Sequence, residues 1–388
     1  MFKIQTLNPI SDVIHTQLSR ENFTVTKEEP VPEGILVRSA DMHKMVLPDS
    51  LLAIARAGAG VNNIPLPECT KKGIVVFNTP GANANAVAEL VMAGLLLGSR
   101  NIAGGIQWAA ELKGKGADVP ALVEKGKGAF VGPELRGKTL GVIGLGAIGA
   151  IVANTAAQGF GMDVVGFDPF ISVDSAWSLS RAIKRAASVE EVLQKADYVT
   201  IHVPLTDKTR AMFNADTLYK MKKASHLLNF SRAELVDSEA MAKAINDGQI
   251  ASYVVDFPTD EMLNVKNVVC IPHLGASTPE SEDNCAFMAA AQLRDYLEFG
   301  SIKNSVNLPD IVMMPPENAR ILVIHENIPN MVSAISACVS KAGINIDNMV
   351  NKSKKEAAVT VIEMTDEPAE EVIKEIADLQ GVIKVRVF

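Results

Sequence analysis

Lys138-Thr139-Leu140-Gly141-Val142-Ile143-Gly144-Leu145-Gly146-Ala147-Ile148-Gly149 is an apolar run that enters a Gly-x-Gly-x-x-Gly turn and opens an amphipathic segment. A buried parallel strand, a glycine turn and a helix N-terminus in that order make the phosphate-holding half of a βαβ unit. Gly144 permits the tight turn, Gly146 lets the backbone approach a pyrophosphate, and Gly149 allows close strand-to-helix packing. The backbone amides of Ala147 and Ile148 then begin the helix that faces the anion. A second apolar strand, residues 162–167, ends at Asp168, 19 residues beyond Gly149. A carboxylate there accepts hydrogen bonds from ribose hydroxyls and repels a 2′-phosphate, and the next residues are Pro169 and Phe170 rather than Arg or Lys. The pattern predicts an α/β chain that binds NAD in preference to NADP.

Outward from this turn the chain divides by texture. Residues 1–98 alternate short apolar runs (34–37, 74–77) with helical stretches, as in βαβ units. A Gly- and Lys-rich connection at about 112–137 leads into the nucleotide unit, which runs to residue 274. Residues 277–299 read as one long helix that returns to the first unit. The expected boundaries are 1–98 with 275–305 for a first, discontinuous domain, 99–274 for a Rossmann domain, 306–318 for a proline-stiffened linker and 319–388 for a last domain. Two doubly wound domains and a small βαββαβ domain are expected.

Composition narrows the function classes. With 388 residues, 48% apolar and 21% charged, the chain can bury several cores. A net charge of -8 and a pI near 5.4 argue against polyanionic partners such as nucleic acid or an anionic membrane, while leaving room for a local basic pocket. The most apolar stretches, 86–98 and 140–153, are too short to cross a bilayer. Residues 1–6 read as a strand rather than an export signal. Cys69, Cys270, Cys285 and Cys338 are scattered without CxxC spacing, which points to a reducing cytoplasm and to no metal site.

A hydride donor needs a proton donor and a substrate clamp beside it. Three segments follow apolar runs: Asn229-Phe230-Ser231-Arg232, Asp256-Phe257-Pro258-Thr259-Asp260-Glu261 and Ile271-Pro272-His273-Leu274-Gly275. Each therefore falls at a strand's carboxyl end, where open α/β sheets place ligands. His273 suits acid-base work because an imidazole titrates near neutrality. A carboxylate, Asp260 or Glu261, would orient it, and the Arg232 guanidinium would clamp a substrate carboxylate. Singly, each has a bland structural explanation; their joint placement at strand ends favours chemistry.

These segments, with Arg56-Ala57-Gly58-Ala59-Gly60-Val61-Asn62-Asn63, Asn78-Thr79-Pro80-Gly81, Val87-Ala88-Glu89-Leu90, Leu135-Arg136-Gly137-Lys138 and His202-Val203-Pro204-Leu205-Thr206, resemble the D-isomer-specific 2-hydroxyacid dehydrogenases across about residues 1–305. The resemblance implies a catalytic set of Arg232, His273 and an acidic residue, with Asp260 preferred by alignment. It implies a cofactor cleft formed by Gly144, Gly146, Ala147, Ile148, Gly149, Asp168, His202, Val203, Pro204, Thr209, Phe230, Ser231, Arg232, Asp256, His273 and Gly275. Arg38, Arg56, Ala59, Gly60, Val61, Asn83, Arg232 and His273 are the substrate positions it implies, with the two N-terminal arginines near a phosphate in phosphoglycerate-type members. The expected reaction is oxidation of 3-phospho-D-glycerate by NAD, the first step of phosphorylated L-serine synthesis. A glycerate or hydroxypyruvate reductase and an NAD-sensing corepressor-like scaffold are the alternatives. The chain departs from the pattern in a loop one residue shorter after Asp256, in Asn62 where Asp is frequent and in Glu234 where Gly is frequent.

The last 70 or so residues read strand, helix, strand, strand, helix, strand and resemble an ACT domain, a ligand-sensing module of amino-acid biosynthesis. That resemblance implies L-serine binding through His325, Asn327 and Asn345 between paired modules. Ile328 and Asn330 stand where Arg and Gly are common. A homodimer or homotetramer is expected.

Overall fold

The apolar runs fold as parallel strands in the computed structural model, which describes residues 1–388. Strands β1 (Phe2–Thr6), β2 (Phe23–Thr26), β3 (Gly34–Val37), β4 (Ala53–Arg56) and β5 (Val75–Phe77) form a five-stranded parallel sheet in the order β2-β1-β3-β4-β5. β3 and β5 are buried at every position, which explains why they read as continuous apolar runs rather than as alternating ones. The long helix Pro279–Phe299 packs back on this sheet through Ala286, Ala289, Leu293 and Tyr296.

The nucleotide unit is a seven-stranded parallel sheet. Its strands are β6 (Thr139–Ile143), β7 (Asp163–Phe167), β8 (Lys184–Arg185), β9 (Tyr198–Ile201), β10 (Ser225–Asn229), β11 (Ile250–Val255) and β12 (Val268–Cys270). Their order is β12-β11-β10-β9-β6-β7-β8, so the sheet reverses direction of growth between β6 and β9. That reversal is the switch point at which such sheets leave a crevice.

The chain separates into two compact units, residues 1–83 with 279–388 and residues 84–278. The helix Ala84–Ser99 therefore goes with the nucleotide unit, whereas the boundary drawn at 98 left it in the first domain. Its glycines explain this: a Cβ at Gly94 would lie 2.7 Å from the Phe230 ring, and one at Gly98 would lie 3.1 Å from Ser252 Oγ. The connection at 112–137 also holds a helix, Val119–Gly126, which starts with Pro120 in its first turn.

The last strands, β13 (Ala319–Glu326), β14 (Ile346–Lys354), β15 (Ala357–Met364) and β16 (Val382–Val387), form an antiparallel sheet in the order β14-β15-β13-β16. With the helices Met331–Lys341 and Glu370–Ala377 they complete the expected βαββαβ order. This sheet does not stand apart from the first unit. Ile321, Val323 and Ile362 face its own helices, while Leu322, Ile324, Val359 and Val361 join the core that holds Ile4, Leu36 and Tyr296. Each such side chain contributes roughly 1.5–3 kcal/mol by leaving water, which favours the packed sheet. Residues 306–318, read as a linker, are partly absorbed for the same reason: Leu308 and Ile311 lie in that core, and Ile311 bridges Ile302. Asn330 has φ 72°, so the position where Gly is common requires a left-handed backbone that Asn tolerates.

Candidate active site

β6 delivers the chain into Gly144 at φ 90°, where a Cβ would lie 2.4 Å from the His202 carbonyl oxygen. At Gly149 a Cβ would come within 1.9 Å of the Gly144 carbonyl, whereas one at Gly146 would meet nothing within 4 Å. The three glycines thus serve different needs: a turn, open backbone and close packing. Gly146 caps the helix Ala147–Gly159 without a side-chain hydrogen bond, so the first-turn amides of Ala147 and Ile148 stay open to an anion. Asp168 lies one residue past β7. Its Oδ2 accepts the Leu145 N–H at 2.9 Å and its Oδ1 accepts the Phe170 N–H at 2.8 Å, which ties the glycine turn to the strand end.

His202 follows β9 and donates its N–H to the Ile143 carbonyl at 2.7 Å. Its Nε2 pairs with Thr200 Oγ1 at 2.9 Å, while Nδ1 is enclosed without a protein partner. Burial pushes its pKa down to about 3, so the ring is neutral at ordinary pH. An enclosed polar atom beside open glycine backbone fits a polar cofactor. After Val203, the turn at Pro204 is closed by Thr209 Oγ1, which donates to the Pro204 carbonyl at 2.7 Å. Phe230 is buried in the core, and Ser231 Oγ donates to the Ile201 carbonyl at 2.8 Å, so both side chains are committed to the protein.

The catalytic candidates leave three neighbouring strand ends, with Asn229 paired to Val255 and Val255 paired to Cys270. Asn229 Nδ2 donates to the Arg232 carbonyl at 2.8 Å and shapes the turn that exposes Arg232, whose Nη1 donates to the Ser231 carbonyl at 2.7 Å. Asp256 is buried and accepts the N–H groups of Leu274 and Gly275, one on each oxygen, at 2.8 and 2.9 Å. His273 is exposed at φ 52°. Its ring lies 4.4 Å from that of Phe257, centroid to centroid, at 45°. The Arg232 guanidinium carbon lies 5.5 Å from the same Phe257 ring.

Neither expected carboxylate makes a hydrogen bond to His273 here. Asp260 and Glu261 open the turn Asp260–Met262, and Glu261 has its pKa lowered by hydrogen bonds from its own N–H and from Thr259. Phe257 is the residue that reasoning from sequence passed over. It is an aromatic side chain directly after Asp256, two residues past β11, and only the sheet order places β11 between the strands that lead to Arg232 and His273.

In the first unit, Arg38 follows β3, and Asn8 Oδ1 accepts the N–H groups of Arg38, Ser39 and Ala40, all at 3.0 Å. Arg38 Nη2 lies 2.6 Å from Glu282 Oε1, in the first turn of the helix Pro279–Phe299. Arg56 ends β4, donates from Nε to the Arg38 carbonyl at 3.0 Å, and covers Gly58 so closely that a Cβ there would lie 2.3 Å from Nη1. Gly58 has φ 147° and donates its N–H to Thr79 Oγ1 at 2.8 Å. Asn78 Nδ2 donates to the Ala59 carbonyl at 2.6 Å, which fixes the loop carrying Gly60 and Val61. Asn83 is half-buried at the end of this segment.

The regulatory candidates divide. His325 is buried, with Nδ1 2.8 Å from the Glu326 carbonyl and Nε2 2.8 Å from Thr360 Oγ1, so it is engaged within its own sheet rather than presented to solvent. Asn327 Nδ2 donates to the Lys355 carbonyl at 3.0 Å, and Asn345 Nδ2 donates to Asp347 Oδ1 at 3.1 Å.

Residues 94–275 match the family model for the D-isomer specific 2-hydroxyacid dehydrogenase, NAD binding domain. The D-3-phosphoglycerate dehydrogenase of Methanocaldococcus jannaschii is 38% identical over 269 residues, 68% of this chain and 49% of that protein. That of Bacillus subtilis is 32% identical over 348 residues, 86% of this chain and 62% of its own. The Haemophilus influenzae enzyme is 30% identical over 353 residues, 87% and 81% respectively. The chain thus spans about half the length of the first of these relatives and more of the others. Among solved structures, NAD+-bound 3-phosphoglycerate dehydrogenase of Entamoeba histolytica superposes with a TM-score of 0.60 at 26% identity, over 79% of this chain and 98% of that one. Rhodotorula graminis D-mandelate dehydrogenase has the same fold, with a TM-score of 0.67 at 22% identity over 81% and 99%. No single helix is long and apolar enough to cross a membrane.

Proposed function

The chain belongs to the D-isomer-specific 2-hydroxyacid dehydrogenase family, and from that premise we propose that it oxidises 3-phospho-D-glycerate to 3-phosphohydroxypyruvate with NAD. The observation that carries this reading is the convergence of Arg232 and His273 on one side chain, Phe257, at the carboxyl ends of adjacent strands. Bound NAD supplies a hydride acceptor for C2 of the substrate. Gly144, Gly146 and Gly149, with the amides of Ala147 and Ile148, would hold its pyrophosphate, and Asp168 would accept hydrogen bonds from its ribose hydroxyls. His273 takes the proton of the C2 hydroxyl, and Arg232 holds the carboxylate and the developing carbonyl oxygen. Asp260 is the carboxylate proposed to orient His273, because Glu261 is tied to its own turn.

Arg38 and Arg56 are proposed to receive the substrate phosphate, which sets the preference over glycerate. The amides of Ala59, Gly60 and Val61, on a loop fixed by Asn78, are proposed as further donors to the carboxylate. The reaction would open the phosphorylated route to L-serine, in a reducing cytoplasm consistent with four unpaired cysteines. The C-terminal βαββαβ unit is proposed to be an ACT domain, and L-serine is proposed to act there through the His325, Asn327 and Asn345 positions in a homo-oligomer.

The deciding measurement is NADH formation with 3-phospho-D-glycerate, D-glycerate, D-lactate and D-2-hydroxyglutarate. A kcat/KM at least about tenfold higher for the phosphorylated acid supports the reading. Preference for glycerate would make the chain a glycerate or hydroxypyruvate reductase. NADH binding without turnover of any acid would favour the cofactor-sensing scaffold.

A further inference from the structure

We propose that Phe257 is a positioning residue that sets the gap between the Arg232 guanidinium and the His273 imidazole; the proposal rests on the dehydrogenase reading and deepens it. The sheet order β12-β11-β10 makes β11 the middle of the three strands that carry the candidate groups. The chain that leaves β11 therefore emerges beside both the one that leaves β10 and the one that leaves β12. The Asp256 N–H still donates to the Asn229 carbonyl, at 3.1 Å, so the pairing of β11 with β10 continues one residue past Val255. The pleat then sends Asp256 inward, to the amides of Leu274 and Gly275, and Phe257 toward the opposite side.

The ring has little freedom there. Pro258 follows it and restricts the Phe257 backbone to extended conformations. The ring is half-buried against the core that contains Val255, Met262 and Tyr253. His273, in contrast, needs an external brace, because its left-handed backbone is disfavoured for a residue with a Cβ and its side chain is exposed. The Asp256 carboxylate fixes the backbone that follows His273, and the Phe257 ring fixes the imidazole itself.

An aromatic ring suits this place for an electrostatic reason. Its faces attract cations, so the Arg232 guanidinium, 5.5 Å from the ring centroid, is drawn to the same ring that the His273 imidazole packs against at 4.4 Å. It also offers no hydrogen-bonding atom that would compete for the hydroxyl or carboxylate of the substrate. A carboxylate in the same position would draw both cations onto itself and away from the substrate.

The test compares Phe257→Leu, which keeps an apolar filling but loses the ring, with Phe257→Tyr, which keeps the ring. With 3-phospho-D-glycerate, kcat of Phe257→Leu is expected to fall by about tenfold or more, with NADH affinity by fluorescence within about twofold of the parent. Phe257→Tyr is expected to recover kcat to within about threefold of the parent. The ring-current displacement of the His273 proton resonances is expected to vanish in Phe257→Leu and to persist in Phe257→Tyr, a readout independent of turnover. An unchanged kcat in Phe257→Leu, beside an active parent, would overturn the positioning role. So would equal losses of kcat and melting temperature in both variants, which would mark the ring as packing only. A parent that turns over no D-2-hydroxy acid would instead overturn the dehydrogenase reading, and the kinetic role with it.

Discussion

Asp256 holds Leu274 through the backbone: a buried carboxylate oxygen accepts the Leu274 N–H at 2.8 Å, and its twin accepts that of Gly275 at 2.9 Å. The left-handed backbone of His273, immediately before them, costs about 1–2 kcal/mol, and two charge-assisted hydrogen bonds are strong enough to offset it. Asp256→Asn keeps one acceptor and turns an N–H toward a second N–H. Its kcat is expected to fall about a hundredfold and its melting temperature by several degrees. His273→Ala sets the comparison, with a loss of about a hundredfold to ten-thousandfold in kcat and nearly unchanged NADH affinity. Near-parental turnover in either variant would detach that residue from the chemistry.

Arg38 and Glu282 form an ion pair at 2.6 Å, with both side chains nearly half exposed. A substrate phosphate that binds Arg38 must compete with this carboxylate. Arg38→Ala is therefore expected to raise KM for 3-phospho-D-glycerate about tenfold or more and to leave turnover of D-glycerate unchanged. Glu282→Gln is expected to do the reverse, lowering KM for the phosphorylated acid severalfold and making inorganic phosphate a stronger competitor. Equal effects on both substrates would remove Arg38 from the phosphate site.

Much of this architecture was legible because glycine and strand-end positions are local signals. Gly144, Gly146 and Gly149 each sit where a missing side chain has a separate consequence, and Asp168 lies at the end of the next strand, where it also accepts the Leu145 N–H. Arg232, Asp256 and His273 fall at strand ends, as the apolar runs before them indicated. What escaped the sequence was long-range. Nothing local says that β11 lies between β10 and β12, so Phe257 received no role within its segment. The docking of Leu322, Ile324, Val359 and Val361 was hidden too, because a strand buried on both faces shows the same apolar run whatever covers its second face. His325 shows the same limit: residue type alone does not tell a ligand-facing imidazole from one hydrogen-bonded to Thr360.

Arg320 is fully buried and binds three acceptors, with Nη1 2.5 Å from the Phe299 carbonyl and Nη2 2.6 Å from the Met314 carbonyl and 2.5 Å from Glu363 Oε1. Burial opposes the charge on Glu363, but hydrogen bonds from Arg320 and Asn348 outweigh it and hold its carboxyl below the usual range. Arg320→Met would strand a carboxylate and two carbonyls at the junction of the C-terminal sheet with the helix Pro279–Phe299. It is expected to lower stability by about 3–5 kcal/mol in urea unfolding, and adding Glu363→Gln should restore part of that. A loss below about 1 kcal/mol would mean that water replaces the guanidinium.

His226 makes the acid stability of the nucleotide unit depend on pH. Its buried ring stacks on Tyr198 at 4.4 Å and 7°, and its Nδ1 lies 2.8 Å from Ser252 Oγ. The Ser252 hydroxyl donates to the Gly98 carbonyl at 3.0 Å, so Nδ1 is the donor and carries the proton of a neutral ring. Burial pushes the pKa down to about 4, against a smaller opposing effect of Asp197. In the unfolded chain the group titrates near about 6.5. Between these values the unfolded chain binds a proton that the folded chain refuses, so stability declines as pH falls from about 6.5 toward 4, by at most about 1.4 kcal/mol per pH unit. His226→Gln removes that proton from the balance. Its unfolding free energy, followed in denaturant from about pH 7 to about pH 4.5, is expected to be lower throughout for loss of the stack, yet to fall less steeply with acid by up to about one proton. Parallel slopes for the variant and the parent would show that His226 takes up its proton at the same pH in the folded and unfolded chain, and the low pKa would have to be abandoned.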